Sequence, residues 1–174
     1  MLVLILGLCV AVADQVTKHI VRLTFDVGES RPVLDGLFDL TFVRNTGAAW
    51  GLLGGQNASL TILSVIMLVV MVVFRRSFLS NTWEHRVALG LMIGGIVGNL
   101  MDRLRLGWVT DFLDFHWRAH HWPAFNVADA AICVGVGIYV LSALWLAGHP
   151  LHESRLKGMS NGSAGAEKAA DAPK

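Results

Sequence analysis

The sequence predicts an all-α integral membrane protein with four transmembrane helices, and three observations carry that expectation. Hydrophobic residues make up 54% of the 174 and charged residues 16%, which is too apolar for an ordinary soluble domain. Apolar stretches approaching the ~30 Å hydrocarbon thickness of a bilayer recur four times. The few charges that interrupt them gather toward one end of the spans.

The first span is apolar over residues 1–13 and is then interrupted by Asp14, Lys18, His19 and Arg22 before Phe25. Ala11-Val12-Ala13 has the look of a small-residue cleavage site, but no Lys or Arg precedes the apolar run to form a positive leader. A transmembrane helix is therefore the preferred reading over a signal peptide. Asp14 and Lys18 are four apart and share a helix face.

Residues 25–57 form an extramembrane segment containing one recognisable strand. After the Asp35-Gly36 turn signal, Phe38, Leu40 and Phe42 alternate with Asp39 and Thr41, the period-two pattern of a strand with one apolar face. Asn45-Thr46-Gly47 reads as turn chemistry.

Residues 58–74 carry no charge and reach about 25 Å as a helix, with Arg75 and Arg76 at their end. Residues 87–106 form the third span, apolar as far as Asn99 and then bearing Asp102, Arg103 and Arg105. Gly90, Gly94 and Gly98 make a small-residue row that lets a neighbouring backbone approach. Residues 107–122 are the second extramembrane segment, and Asp114 within it reads as an interfacial loop charge. Residues 123–148 form the fourth span, with Asn126 and Asp129 in its first two turns and Asp129 its only charge.

With four spans the termini share a side. Arg75, Arg76 and Arg86 against Glu84 in the loop between spans two and three place that loop and both termini in the cytoplasm. Residues 149–174, rich in Gly, Ser and Ala behind Arg155 and Lys157, are expected to be a disordered cytoplasmic tail. Residues 1–148 then form one membrane domain whose segments 25–57 and 107–122 lie outside the cytoplasm.

Polar residues in the spans converge on the extracytoplasmic level: Asp14 and Lys18, then Asn99, Asp102 and Arg103, then Asn126 and Asp129. A charge near the middle of a bilayer costs roughly 2.5 to 3.5 kcal/mol on insertion scales, so such residues call for a role. Asp14 with Lys18, and Asp102 with Arg103, are read first as buried pairs that fix packing or position substrate. Asp111 and Asp129 have no cation at helical pairing distance in sequence and are the leading pair for chemistry.

Two carboxylates about 4 Å apart at an effective dielectric of about 20 repel by roughly 4 kcal/mol, about three pK units. They would share one proton, giving a base to activate water and an acid for a leaving amine, the logic of aspartic proteases. Ser59 and Ser64 lack a Gly-x-Ser-x-Gly setting, and no His-Glu-x-x-His occurs. His116, His120 and His121 sit among Trp residues and read as an interfacial anchor before a metal site. Cys9 and Cys133 lie in apolar runs without metal-like spacing and read as small core residues.

The ordered blocks Asp14-Gln-Val-Thr-Lys18, Asn45-Thr-Gly-Ala-Ala-Trp50, Gly94-Gly-Ile-Val-Gly-Asn-Leu-Met-Asp-Arg103, Val109-Thr-Asp-Phe112 and Phe125-Asn-Val-Ala-Asp129 resemble the type II signal peptidases, the prolipoprotein signal peptidases of bacteria. The resemblance runs from about Val12 to Leu146. It implies four transmembrane helices, a small extracytoplasmic β element at the membrane surface, and an aspartyl dyad at Asp111 and Asp129. It further implies that Asp14, Lys18, Asn45, Gly47, Asn99, Asp102, Arg103 and Asn126 shape the site or bind substrate. Relatives of that family often carry further residues ahead of the first span, so Met1 is open to being an internal start.

The implied reaction is cleavage before the diacylglyceryl-modified cysteine of a prolipoprotein, in the bacterial cytoplasmic (inner) membrane, with no metal or cofactor. Acyl chains, at about 0.8 kcal/mol per buried methylene, would hold the scissile bond at the outer interface, where Trp50, Trp108, Trp117 and Trp122 also belong. The expected partners are membrane lipid and the prolipoprotein, with the enzyme a monomer. A net charge of +1 without a basic stripe outside the cytoplasmic loop gives no reason for nucleic acid. Two other classes share these features: a proton-coupled transporter, which needs a site near the midplane, and a non-catalytic lipoprotein-binding chaperone, separated only by whether the dyad cuts.

Overall fold

In the computed structural model, residues 1–47, 54–78, 82–117 and 120–148 are described. Helix α1 (Leu2–Thr24) leads into strands β1 (Ser30–Leu34) and β2 (Phe38–Asn45). Helices α2 (Asn57–Val73), α3 (Arg75–Phe78) and α4 (Trp83–Leu106) follow. Strands β3 (Val109–Trp117) and β4 (His120–His121) then precede helix α5 (Val127–Gly148). Residues 149–174, expected as a tail, and Trp50 lie outside the described residues.

α1, α4 and α5 are long and apolar enough to cross a membrane, whereas the apolar α2, at 17 residues, is shorter. α4 is the central helix, with more than half of its apolar stretch buried, against about a fifth for α1 and α5. Glycine makes that possible. A Cβ at Gly94 would stand 2.6 Å from the Gly7 carbonyl oxygen, and one at Gly98 would stand 2.6 Å from Asp14 Oδ2. Gly135 of α5 approaches the Ala88 carbonyl in the same way, at 2.9 Å from a would-be Cβ. The expected glycine row thus seats α1 on α4, and dispersion between closely packed backbones replaces the hydrophobic effect that lipid cannot supply.

Side-chain distribution follows the same solvent logic. Leu4, Leu23, Ile62 and Leu141 are more than half exposed, while Asp14 and Lys18 are completely buried. Cys9 and Cys133 are exposed too, which corrects their expected place in the core. An apolar residue in a span gains nothing by turning inward, because hydrocarbon surrounds the helix as well.

The four strands form one antiparallel sheet in the order β1-β2-β3-β4. Phe42 of β2 packs with Val21 of α1 and Phe112 of β3, which fixes the sheet on the end of the helices. The apolar alternation expected over Phe38, Leu40 and Phe42 is broken by a register shift between Leu40 and Val43, so both Thr41 and Phe42 are buried. Asp114 is a β3 residue opposite Asp39, not a loop charge. Its carboxylate meets His121 Nδ1 at 3.0 Å, which ties β3 to β4, and His116 Nε2 lies 3.2 Å from Asp39 Oδ1.

Two helix starts differ from expectation. α4 begins at Trp83, a turn before residue 87, with Thr82 extended at its N-cap. α5 begins at Val127, so Asn126 precedes the helix instead of lying in its first turns. Phe125 bridges to Leu113 of β3, which keeps the chain non-helical up to Asn126. The αL conformation of Gly107, φ 82°, ends α4 and turns the chain directly into β3.

Candidate functional site

Asp111 projects from β3 and Asp129 from the first turn of α5, and both line a cavity of about 490 Å³. Asn45, Gly47, Asn99 and Arg103 complete its polar wall, while Trp122, Phe125, Ile132 and Cys133 are among the residues of its apolar wall. Strand pairing and helix capping together create this meeting point.

Asn126 is the hinge of the arrangement. Its Oδ1 accepts the Asp129 N–H at 3.0 Å and its own N–H donates to Asp129 Oδ2 at 3.3 Å, a reciprocal cap on α5. Its side-chain amide donates to Asp111 Oδ1 at 2.6 Å. One fully buried residue therefore touches both carboxylates.

The remaining oxygens are also held by amides. Asn45 Nδ2 donates to Asp111 Oδ2 at 2.8 Å, and the Gly47 N–H fixes Asn45 by donating to its Oδ1 at 2.8 Å. Asn99 Nδ2 donates to Asp129 Oδ1 at 2.7 Å. Lys18 sets that orientation: Nζ can only donate, and it binds Asn99 Oδ1 at 2.8 Å, so the Asn99 amide nitrogen must face Asp129.

Asp14 and Asp102 belong to a different environment. Lys18 Nζ lies 2.8 Å from Asp14 Oδ2 and 3.6 Å from Asp102 Oδ2, and Arg22 Nη1 lies 3.5 Å from Asp102 Oδ1. Two anions and two cations thus balance within the bundle. Asp102 and Arg103, read as a possible pair, turn to different sides of α4: Asp102 toward α1, Arg103 toward the cavity. Arg103 Nη2 donates to the Gly47 carbonyl at 3.0 Å, and its buried Nε and Nη1 have no partner among the described residues.

Burial pushes the Asp111 carboxyl up to about 7, and the nearby Asp129 carboxylate adds to the rise. The amide donors of Asn45 and Asn126, and the charge of Lys18, oppose it. A group near 7 can accept or hold a proton at neutral pH, which is the property a general acid or base needs.

Sequence reasoning missed three contributors. Gln15 Nε2 donates to the Gly98 carbonyl at 3.0 Å and to Asp102 Oδ1 at 3.1 Å. Arg22 Nη1 donates to Thr110 Oγ1 at 2.9 Å, and the Thr110 N–H donates to Asp102 Oδ2 at 2.9 Å. The 14, 18, 22 spacing would have revealed Arg22 as an extension of the Asp14 and Lys18 face. Thr110 left no such signal, because its role depends on strand placement. Of the tryptophans expected at the interface, Trp117 and Trp122 are exposed, and Trp108 lies 4.5 Å beneath the Arg44 guanidinium.

A family model for signal peptidase (SPase) II matches residues 6–145. The lipoprotein signal peptidase of Syntrophotalea carbinolica is 45% identical over 144 residues, covering 81% of this chain and 89% of that protein. The Geobacter sulfurreducens lipoprotein signal peptidase is 45% identical over 136 residues, 76% of this chain and 85% of its own length. That of Shewanella loihica is 42% identical over 153 residues, 86% and 89% respectively. Two solved bacterial membrane enzymes, both determined by the in meso method, superpose with TM-scores of 0.77 and 0.72 at 32% identity. They cover 83% and 82% of this chain and 88% and 92% of their own.

Proposed function

The chain belongs to the signal peptidase II family, and we propose that it is an intramembrane aspartyl endopeptidase cleaving prolipoproteins just before their diacylglyceryl-modified cysteine. The family is one of proteases that remove signal peptides from prolipoproteins. The observation that carries the aspartyl mechanism is the sorting of carboxylates. Asp14 and Asp102 are compensated by cations, whereas Asp111 and Asp129 share a cavity and are held by neutral amides. Amide donors orient a carboxylate without balancing its charge, so the pair remains able to exchange protons.

In this reading one carboxylate removes a proton from water as the oxygen adds to the peptide carbonyl carbon. The partner carboxyl donates a hydrogen bond to the carbonyl oxygen. Collapse of the tetrahedral intermediate breaks the C–N bond, and a carboxyl proton passes to the departing cysteine nitrogen. The products are a signal peptide with a new carboxylate and a lipoprotein with a free amine. A coupled pair loses its protons in two macroscopic steps that belong to neither aspartate alone, so acid and base are properties of the pair.

Asn45, Gly47, Asn99 and Asn126 shape the site, and Arg103 offers Nε and Nη1 to a substrate carbonyl at the cavity wall. The apolar wall of Phe125, Ile132 and Cys133 suits an acyl or apolar portion of the substrate. α2 is the fourth transmembrane helix of this reading, which puts both termini on one side, and Arg75, Arg76 and Arg86 make that side the cytoplasm. The sheet then lies at the outer surface of the inner membrane, and the enzyme acts as a monomer.

The test is cleavage of a purified diacylglyceryl-modified prolipoprotein in bilayers by the wild type and by Asp111→Asn and Asp129→Asn. Cutting by wild type alone supports the dyad. Turnover by both folded variants would reject it, and inactivity of the wild type would favour a binding role.

A further inference from the structure

We infer that Lys18 is a positioning residue that sets the relative placement of Asp111 and Asp129 by gripping the backbone beside each of them through a buried carboxylate. The inference rests on the dyad reading above and names the part of the bundle that holds the dyad in register.

The geometry is a double clamp. Asp14 Oδ1 accepts the N–H of Ala128, the residue immediately before Asp129, at 2.9 Å. Asp102 Oδ2 accepts the N–H of Thr110, the residue immediately before Asp111, at 2.9 Å. These amides belong to different elements, one to the first turn of α5 and one to β3. Their two acceptors converge on a single ammonium, with Lys18 Nζ 2.8 Å from Asp14 Oδ2 and 3.6 Å from Asp102 Oδ2.

Lys18 also reaches the dyad by a side-chain route. Its bond to Asn99 Oδ1, 2.8 Å, orients the amide that holds Asp129 Oδ1 at 2.7 Å. Of the ammonium's three N–H donors, two have acceptors at 2.8 Å on Asp14 and Asn99, and the Asp102 carboxylate stands as an ion-pair partner at 3.6 Å. Moving the ammonium would disturb both backbone grips and the Asn99 orientation together.

Packing alone accounts poorly for this arrangement. Close glycine contacts already seat α1 on α4, and buried ion pairs are weak stabilisers relative to apolar replacements. A pair serving only helix association would have no need to reach the amide of a third helix and that of a strand. Misplacement of reacting groups by about 1 Å can lower a rate about a hundredfold, so a placement device here acts on turnover more than on substrate affinity.

The experiment compares wild type, Lys18→Met and the double variant Asp14→Asn/Lys18→Met in bilayers, scoring the rate per folded enzyme against substrate concentration and pH. The double variant removes one uncompensated carboxylate and serves where the single variant does not fold. The expected result is a fall in kcat of about a hundredfold with KM within about threefold. The alkaline limb of the rate profile should also move upward, because the Lys18 charge favours ionised Asp111. Wild-type kcat with an unmoved pH limb in a folded variant overturns the inference, as does a raised KM at unchanged kcat. Asp111→Asn and Asp129→Asn are run alongside: their retaining activity sinks the dyad itself. Their inactivity beside wild-type behaviour of the Lys18 variants sinks only the clamp.

Discussion

Asn126 donates its side-chain amide to Asp111 Oδ1 at 2.6 Å from a position that also caps α5, so the start of a helix and the carboxylate of a strand are set by one side chain. Replacing it with Ala removes the cap and leaves a buried carboxylate oxygen without that donor. The expected cost is about 1 to 2 kcal/mol from the cap, with more from the lost amide, read as a lower thermal midpoint in detergent. Cleavage should fall even where the protein is folded.

Asp111 should give the protein a pH-dependent stability. Its folded pKa of about 7 lies above the roughly 3.9 of an unfolded aspartate, so the folded state favours the protonated form. The contribution is fully present below about pH 4 and is lost as pH rises through about 7. Asp111→Asn cannot ionise, so its thermal midpoint relative to wild type should rise between pH 5 and pH 9. A constant difference across that range would contradict the burial argument.

The same pKa sets an expectation for rate. If the dyad works with one proton, cleavage should decline as pH rises above about 7 and the last carboxyl proton is lost. A profile flat to pH 9 with the substrate still soluble would argue against acid assistance by this pair.

Gly94→Ala should be far more damaging than Gly137→Ala. A Cβ at Gly94 meets the Gly7 carbonyl oxygen at 2.6 Å and Val10 Cβ at 2.8 Å, whereas nothing lies within 4 Å of one at Gly137. Overpacking of this kind costs about 1 to 3 kcal/mol, and the α1 displacement would carry Asp14 and Lys18 with it. Thermal unfolding of the two variants side by side checks the contrast. Equal midpoints would show that α1 does not rely on the glycine row.

Much of the site was legible because its signals are local. Helical spacing joined Asp14 to Lys18, and Asn-x-x-Asp ahead of an apolar run contained the Asn126 cap, although the helix start was expected earlier. The ordered motif blocks contain Asn45, Asn99, Asp111 and Asp129, which line one cavity, and Asp14, Lys18 and Asp102, which pair within the bundle. The expected mutual pairing of Asp102 with Arg103 failed because adjacent helical positions face about 100° apart, and neighbours from other elements decide the partner. Cys9 and Cys133 were misplaced because burial in lipid and burial in protein leave the same apolar pattern.

The sequence by itself determined the membrane class, the apolar spans, the strand of β2 and the polar faces at one end of the helices, since each is a property of residues a few positions apart. Tertiary structure alone decided which carboxylates would be compensated by cations and which would share a cavity. Asn45 reaches Asp111 across 66 positions and Asp14 reaches the Ala128 amide across 114, contacts set by strand register and glycine-mediated helix approach. No local periodicity encodes such distances, because they arise only when separately formed elements pack against one another.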